Sequence, residues 1–208
     1  DIGDKAQAVY KVNIKTNSFD KQFTNKYNVN QWFVDPNGFV TFGIGFKEHE
    51  PEIIQYWYRG QASDEWKMIN EVRNMSGDTF NPLILQDGKL WVKSDRELDR
   101  ESIWEFDPKT GTFGELIYSN PEYDVSSLIL NSDRSRAIGV NYVEHFPETH
   151  YFDNNDTKLN QIVANSFAGY KTVISSRSLD SKRLLVTAYK NDSPTKYFWL
   201  DLKARAGG

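Results

Sequence analysis

Cysteine is absent from all 208 residues, which excludes disulfides, thiolate metal sites and cysteine nucleophiles at once. Redox chemistry therefore leaves a bacterial cytoplasm and a periplasm equally open as compartments. Histidine is nearly as scarce, with only His49, His145 and His150. No apolar run approaches the roughly 20 residues that span a bilayer. The charged start Asp1-Ile2-Gly3-Asp4-Lys5 is not a signal peptide, so the chain is expected to begin mid-protein and to have no membrane partner. Neither sign of charge dominates: 25 Lys and Arg face 29 Asp and Glu, for a net charge of -4. The cations are scattered, so no surface is prepared for phosphate backbones and nucleic acid is not an expected partner.

Aromatic residues make up 14% of the chain, a share that suits pleated, half-buried sheet surfaces. Four segments align on an Asp-centred turn between two apolar runs: Gln31-Trp-Phe-Val-Asp35-Pro-Asn-Gly38, Leu83-Ile-Leu-Gln-Asp87-Gly88, Leu128-Ile-Leu-Asn-Ser-Asp133 and Ser178-Leu-Asp180-Ser-Lys-Arg-Leu-Leu-Val186. Their aspartates are spaced 87 − 35 = 52, 133 − 87 = 46 and 180 − 133 = 47 residues apart. Asp accepts from backbone amides two residues on, and Gly38 or Gly88 supplies a positive φ, so each turn reads as a tight hairpin.

About twenty residues later a second motif recurs, an aromatic strand running into a polar turn. It stands as Ile103-Trp-Glu-Phe-Asp107-Pro-Lys-Thr-Gly111, as His150-Tyr-Phe-Asp153, as Tyr197-Phe-Trp-Leu-Asp201 and, less regularly, as Ile54-Gln-Tyr-Trp-Tyr58. One repeat is then four short strands. Such a sheet cannot bury both faces alone and must stack on its neighbours, which is the pattern of propeller blades.

The expected fold is all-β: a partial β-propeller of four-stranded antiparallel blades, about three complete with partial ones at the ends. Residues 1–29 give the second half of a blade, 30–80 and 81–125 one blade each, 126–174 a blade with an insertion and 175–208 a partial blade that stops after its third strand. The leading half rests on Val9-Tyr-Lys-Val-Asn-Ile-Lys15-Thr-Asn-Ser-Phe19, which matches the stretch ending Lys109-Thr-Gly-Thr-Phe113. Within 156–165, apolar residues at 159, 162 and 163 behind Asp156 as N-cap predict a short helix between blades.

Candidate chemistry yields no catalytic, cofactor-binding or metal residue, and no cofactor. No Gly-x-Ser-x-Gly elbow occurs. The three histidines sit near charged or Pro-containing loops without ligand spacing and read as surface residues. Asp153-Asn-Asn-Asp156 opens like a calcium loop, but Lys158 and Ala164 stand where the loop needs Gly and Glu. Gly43-Ile-Gly45 lies on a strand without the following helix of a dinucleotide loop, and close strand packing accounts for it. Asn74-Met75-Ser76 and Asn155-Asp156-Thr157 fit the glycosylation triplet, which matters only in a secreted eukaryotic protein. Glu48-His49-Glu50-Pro51-Glu52 has the charge to hold a cationic group at a mouth of the propeller, against the plainer reading of a solvated loop. Tyr56-Trp57-Tyr58 reads as packing between blades.

The succession Val9-Tyr-Lys-Val-Asn-Ile, Gln31-Trp-Phe-Val-Asp-Pro-Asn-Gly38, Ile103-Trp-Glu-Phe-Asp-Pro-Lys-Thr-Gly111, Ile138-Gly-Val-Asn-Tyr142, His150-Tyr-Phe-Asp153 and Ser178-Leu-Asp-Ser-Lys-Arg-Leu-Leu-Val186 resembles the N-terminal propeller of bacterial prolyl oligopeptidase family (S9) serine peptidases, nearest the acylaminoacyl-peptidase and dipeptidyl-aminopeptidase branches. The resemblance covers essentially the whole chain. It implies a seven- or eight-bladed propeller that covers a C-terminal α/β-hydrolase domain, restricts access to it and contributes to its peptide pocket. No position here matches the family's Ser, Asp or His, so the implied role is gating and binding peptide substrate for a hydrolase domain outside this sequence, with the chain an excised piece. The alternative is an independent protein-binding propeller of TolB or WD-repeat type, although Trp-Asp strand endings are absent. A propeller glycosidase would need paired carboxylates at the axis. Exposed blade edges predict pairing with a second copy.

Overall fold

A computed structural model describes residues 8–23, 27–35, 38–74 and 78–208. The charged start at residues 1–5, Pro36 and Asn37 of the first turn, and Met75 and Ser76 of one glycosylation triplet lie outside them.

The chain is a β-propeller segment of successive antiparallel sheets whose strands pair in sequence order. β1 (Val9–Asn13) and β2 (Ser18–Phe23) form a leading hairpin. A four-stranded sheet follows from β3 (Val29–Val34), β4 (Val40–Lys47), β5 (Glu50–Tyr58) and β6 (Lys67–Arg73). The next contains β7 (Asn81–Gln86), β8 (Lys89–Ser94), β9 (Ser102–Asp107) and β10 (Thr112–Tyr118). Three strands, β11 (Val125–Leu130), β12 (Ala137–Val143) and β13 (Pro147–Tyr151), make the fourth sheet, and α1 (Asn154–Ser166) comes after them. The last sheet holds β14 (Lys171–Arg177), β15 (Arg183–Lys190), β16 (Ser193–Asp201) and the two-residue β17 (Ala206–Gly207).

Two turn types repeat, most of them closed by a side-chain oxygen that accepts from a backbone N–H of the turn. Between the first two strands of a sheet, Asp35 Oδ1 accepts from Phe39 N at 2.8 Å, Asp133 Oδ1 from Ser135 N at 2.9 Å and Asp180 Oδ1 from Lys182 N at 3.1 Å. Asp87 and Gly88 instead take φ of 50° and 76°, the paired positive values of a two-residue hairpin in which Gln86 faces Lys89.

After the third strand the geometry is nearly identical in three sheets. Asp107 accepts from Lys109 N at 2.8 Å, Asp201 from Lys203 N at 3.0 Å and Asn13 from Lys15 N at 3.0 Å. Gly111, Arg205 and Asn17, each four residues beyond, all have positive φ. The leading hairpin therefore closes on the same turn as the third and fourth strands of the second and last four-stranded sheets.

Three expectations about the later units are corrected. Asp153 holds the position of Asp107, but its carboxylate accepts from Asn155 N at 2.7 Å and Asp156 N at 3.4 Å and so N-caps α1 in place of a hairpin. The helix thus starts behind Asp153, not Asp156, and stands where a fourth strand would follow. A boundary at 174/175 would fall inside β14, whose residues 171 to 177 pair with β15. The final unit also has a fourth strand, since Leu200 pairs with Gly207 and Asp201 with Ala206.

Alternation along each strand places apolar residues on both faces, and the sheets stack through them. Phe42, Tyr56 and Tyr58 pack on Phe80, Leu90, Val92, Trp104 and Phe106 of the following sheet. Its other face, with Trp91 and Ile103, packs on Val125, Ala137 and Val140. Val163 of α1 seals Ile174, Leu184 and Val186 of the last sheet.

Candidate functional site

The leading strands β3, β7, β11 and β14 each form an edge of their sheets, and each carries an irregular register against the second strand. A bulge twists an edge strand and interrupts its ladder, which discourages pairing with foreign strands and turns side chains toward the open side. Between two of these edges, β11 and β14, a cleft of about 610 Å³ opens. It is lined by Leu128 to Ser132 with Arg134, by Asn141 and Pro147, and by Val173 to Arg177.

Its walls are fixed by short polar contacts. Ser132 Oγ lies 2.9 Å from Ser181 Oγ, which ties the β11–β12 turn to the β14–β15 turn. Asn141 Nδ2 donates to Ser127 Oγ at 3.0 Å, and Ser175 Oγ donates to the Leu185 carbonyl at 3.2 Å beside the bulge between Ile174 and Ser176. At one end stands Arg177, whose Nη1 donates to Asp156 Oδ1 on α1 and whose guanidinium lies 5.4 Å from the centre of the Tyr151 ring. Burial pulls the Arg177 pKa down, but the hydrogen bonds to Asp156 and Tyr151 and their charges outweigh it, so the group titrates above its ordinary value. It is a permanent cation in the wall. The arrangement offers hydrogen-bond donors and positive charge beside apolar strand surface, with no nucleophile and base in contact.

The residues singled out by sequence lie elsewhere. His49 projects from a turn with its side chain 90% exposed, His145 is exposed between β12 and β13, and His150 packs its ring 4.7 Å from that of Tyr118. Among the described residues no group of three or more His, Asp or Glu is placed to hold a metal ion.

The acidic segment around Glu50 is locally neutralised. Lys47 lies 2.8 Å from Glu50, and Arg73 lies 2.7 Å from Glu52 and 3.7 Å from Glu50. The Arg73 hydrogen bond, after the backbone amide of Glu52 itself, holds the Glu52 carboxyl below the usual carboxylate range. Tyr56 and Tyr58 belong to the core between sheets, while Trp57 faces the other way against Tyr27, ring centres 4.4 Å apart. At Gly43 an added Cβ would fall 2.7 Å from the Trp32 ring, so the glycine seats an indole against the strand. Asn155 and Thr157 sit in the first turn of α1, where Thr157 Oγ1 donates to the Asp153 carbonyl at 3.0 Å.

Sequence reasoning did not single out Arg134 or Arg177. Arg177 meets its partner 21 positions upstream, across a helix that replaces a strand, and no local pattern encodes that meeting. The available signal was coarser: a serine pair, Ser175 and Ser176, interrupting an apolar strand immediately before a basic residue.

No protein-family model matches the chain, and no curated protein does. Solved structures resemble it. An oligogalacturonate lyase in complex with manganese gives a TM-score of 0.54 at 8% identity over 97% of this chain and 58% of that one. A puromycin hydrolase mutant complexed with PGG gives 0.50 at 11% identity, over 94% and 30%. Prolyl oligopeptidase B from Galerina marginata gives 0.50 at 9% identity, over 96% and 31%. The chain thus spans about a third to three fifths of these proteins. At such identities the likeness is one of fold, and the fold is that of a β-propeller segment.

Proposed function

We propose that the chain is the non-catalytic propeller segment of a prolyl oligopeptidase-like serine peptidase, which gates and helps bind peptide substrates for an α/β-hydrolase domain. The observation that carries this reading is the cleft between β11 and β14: about 610 Å³ bounded by two sheet edges, within the size range of small-ligand sites. Edge strands offer backbone donors and acceptors to a peptide, and their bulges keep that offer from becoming permanent strand addition. Support also comes from the fold, which occurs in proteins named puromycin hydrolase and prolyl oligopeptidase.

The experiment is to read the parent gene downstream of Gly208 for a Gly-x-Ser-x-Gly elbow followed by Asp and His, and to assay the full-length product on short peptide anilides and on a folded protein. A hydrolase domain whose activity is confined to the short substrates is the expected result. A frame that ends without one overturns the reading in favour of an independent binding module.

A further inference from the structure

Resting on the peptide-binding reading above, we infer that the cleft between β11 and β14 recognises a carboxylate of its peptide, with Arg177 as the buried anchor and Arg134 at the rim. The first observation is compositional. The chain carries 29 acidic residues, yet no Asp or Glu lines this cleft, whereas two arginines do. Arg177 is balanced by Asp156, so the unpaired charge that the lining offers an anionic group is that of Arg134.

The second observation is geometric. Only 11% of the Arg177 side chain is exposed, and its Nη1 is committed to Asp156. Its Nη2 is buried without a hydrogen-bond partner. An unmet guanidinium N–H in a buried position is costly and is normally satisfied by water or by a ligand oxygen. The planar fork of arginine fits a carboxylate better than any single-atom acceptor. The Tyr151 ring lies against the guanidinium, 5.4 Å from its centre, and helps to fix its plane.

The third observation concerns Arg134. It sits in the β11–β12 turn with φ 63°, held there by its backbone N–H donating to the Asn131 carbonyl at 3.0 Å, and its guanidinium forms no ion pair among the described residues. A cation presented from a strained turn, exposed and unpaired, is placed to meet an anion at the mouth before it reaches Arg177. Ser176 and Asn131 flank the path with neutral hydrogen-bonding groups, and Val173 gives an apolar strip for a side chain.

Equilibrium binding to the intact chain tests this with three probes: N-acetyl-tetraalanine with a free C-terminal carboxylate, the same peptide as the carboxamide, and N-acetyl-Ala-Ala-Asp-Ala carboxamide. The free carboxylate is expected to bind about tenfold or more tightly than the neutral carboxamide, the scale of one charge-assisted hydrogen bond. Arg134→Gln should reduce that difference severalfold while leaving the thermal midpoint unchanged. This variant carries the test because Arg177→Gln would strand Asp156 and risk the fold. If the Asp-containing carboxamide binds like the free acid, side-chain carboxylates are the source. If it binds like the neutral carboxamide, the chain terminus is. Equal affinity for free acid and neutral carboxamide, or a difference undiminished by Arg134→Gln, overturns the carboxylate inference and leaves peptide binding standing. Absence of binding by all three overturns both.

Discussion

The Tyr56 hydroxyl donates to the Phe80 carbonyl at 2.6 Å, a buried hydrogen bond from β5 across to the segment that leads into β7. Tyr56 is 4% exposed and Phe80 5%, and their rings meet edge to face with centres 4.7 Å apart. The contact joins two sheets that share no ladder. Tyr56→Phe keeps the ring packing and orphans the carbonyl, so it should cost about 1–3 kcal/mol in urea denaturation. A loss below a few tenths would mean that water replaces the hydroxyl.

The same hydroxyl gives the protein an alkaline limit. Burial pushes the Tyr56 pKa from 10.0 up to about 12. The folded state therefore holds the proton after the unfolded chain has released it. Stability from this group is complete below pH 10 and is lost as pH rises toward 12, by roughly 2–3 kcal/mol over that window. Denaturation midpoints between pH 9 and 12 should fall in wild type and fall less in Tyr56→Phe. Parallel slopes would assign the alkaline loss to other groups.

Asp156→Ala removes the partner of Arg177 and leaves a largely buried guanidinium without its anion. Breaking such a pair costs on the order of 3 kcal/mol, more than the pair itself contributes. Because Asp156 belongs to α1, hydrogen exchange should accelerate along α1 and β14 before it does in the first two four-stranded sheets. Uniform acceleration would mean that the helix is not an independent unit of stability.

Trp91 and Leu185 occupy matching positions, as the turns at Asp107 and Asp201 align the two sheets, but their surroundings differ. Trp91 is 9% exposed beneath the next sheet, and Leu185 is 40% exposed. Trp91→Ala should cost about 3–5 kcal/mol, whereas Leu185→Ala should stay within about 1 kcal/mol. Comparable losses in calorimetry would show the outer face of the last sheet to be covered in solution.

Gly139 lies in β12 where a Cβ would fall 2.4 Å from the His150 carbonyl oxygen of β13, a backbone atom that cannot swing aside. Gly139→Ala must push the two strands apart and is expected to destabilise by more than about 2 kcal/mol. A neutral result in thermal denaturation would require β13 to detach at little cost.

The repeats were legible because each is local. An Asp two residues before the amide it caps, a glycine with positive φ and an alternating strand are all encoded within ten positions, and Asn13, Asp107 and Asp201 make the same turn from the same spacing. The helix was legible from its apolar spacing, but its start was misplaced because two aspartates, Asp153 and Asp156, both suit an N-cap. The charge of Glu50 and Glu52 was legible, but the expected loop is the start of β5, and the pairing of both with Arg73 on β6 was not legible.

By itself the sequence determined the sheet class, the blade period and the chemistry of the turns, since these depend on residues that are neighbours along the chain. Tertiary structure alone decided that Asp153 opens a helix where Asp107 opens a hairpin, that Arg177 closes on Asp156, and that β11 and β14 stand apart as the walls of a cleft. The last two of these relationships join segments more than twenty positions apart. They are set by how whole sheets stack, a many-body packing that no local pattern carries.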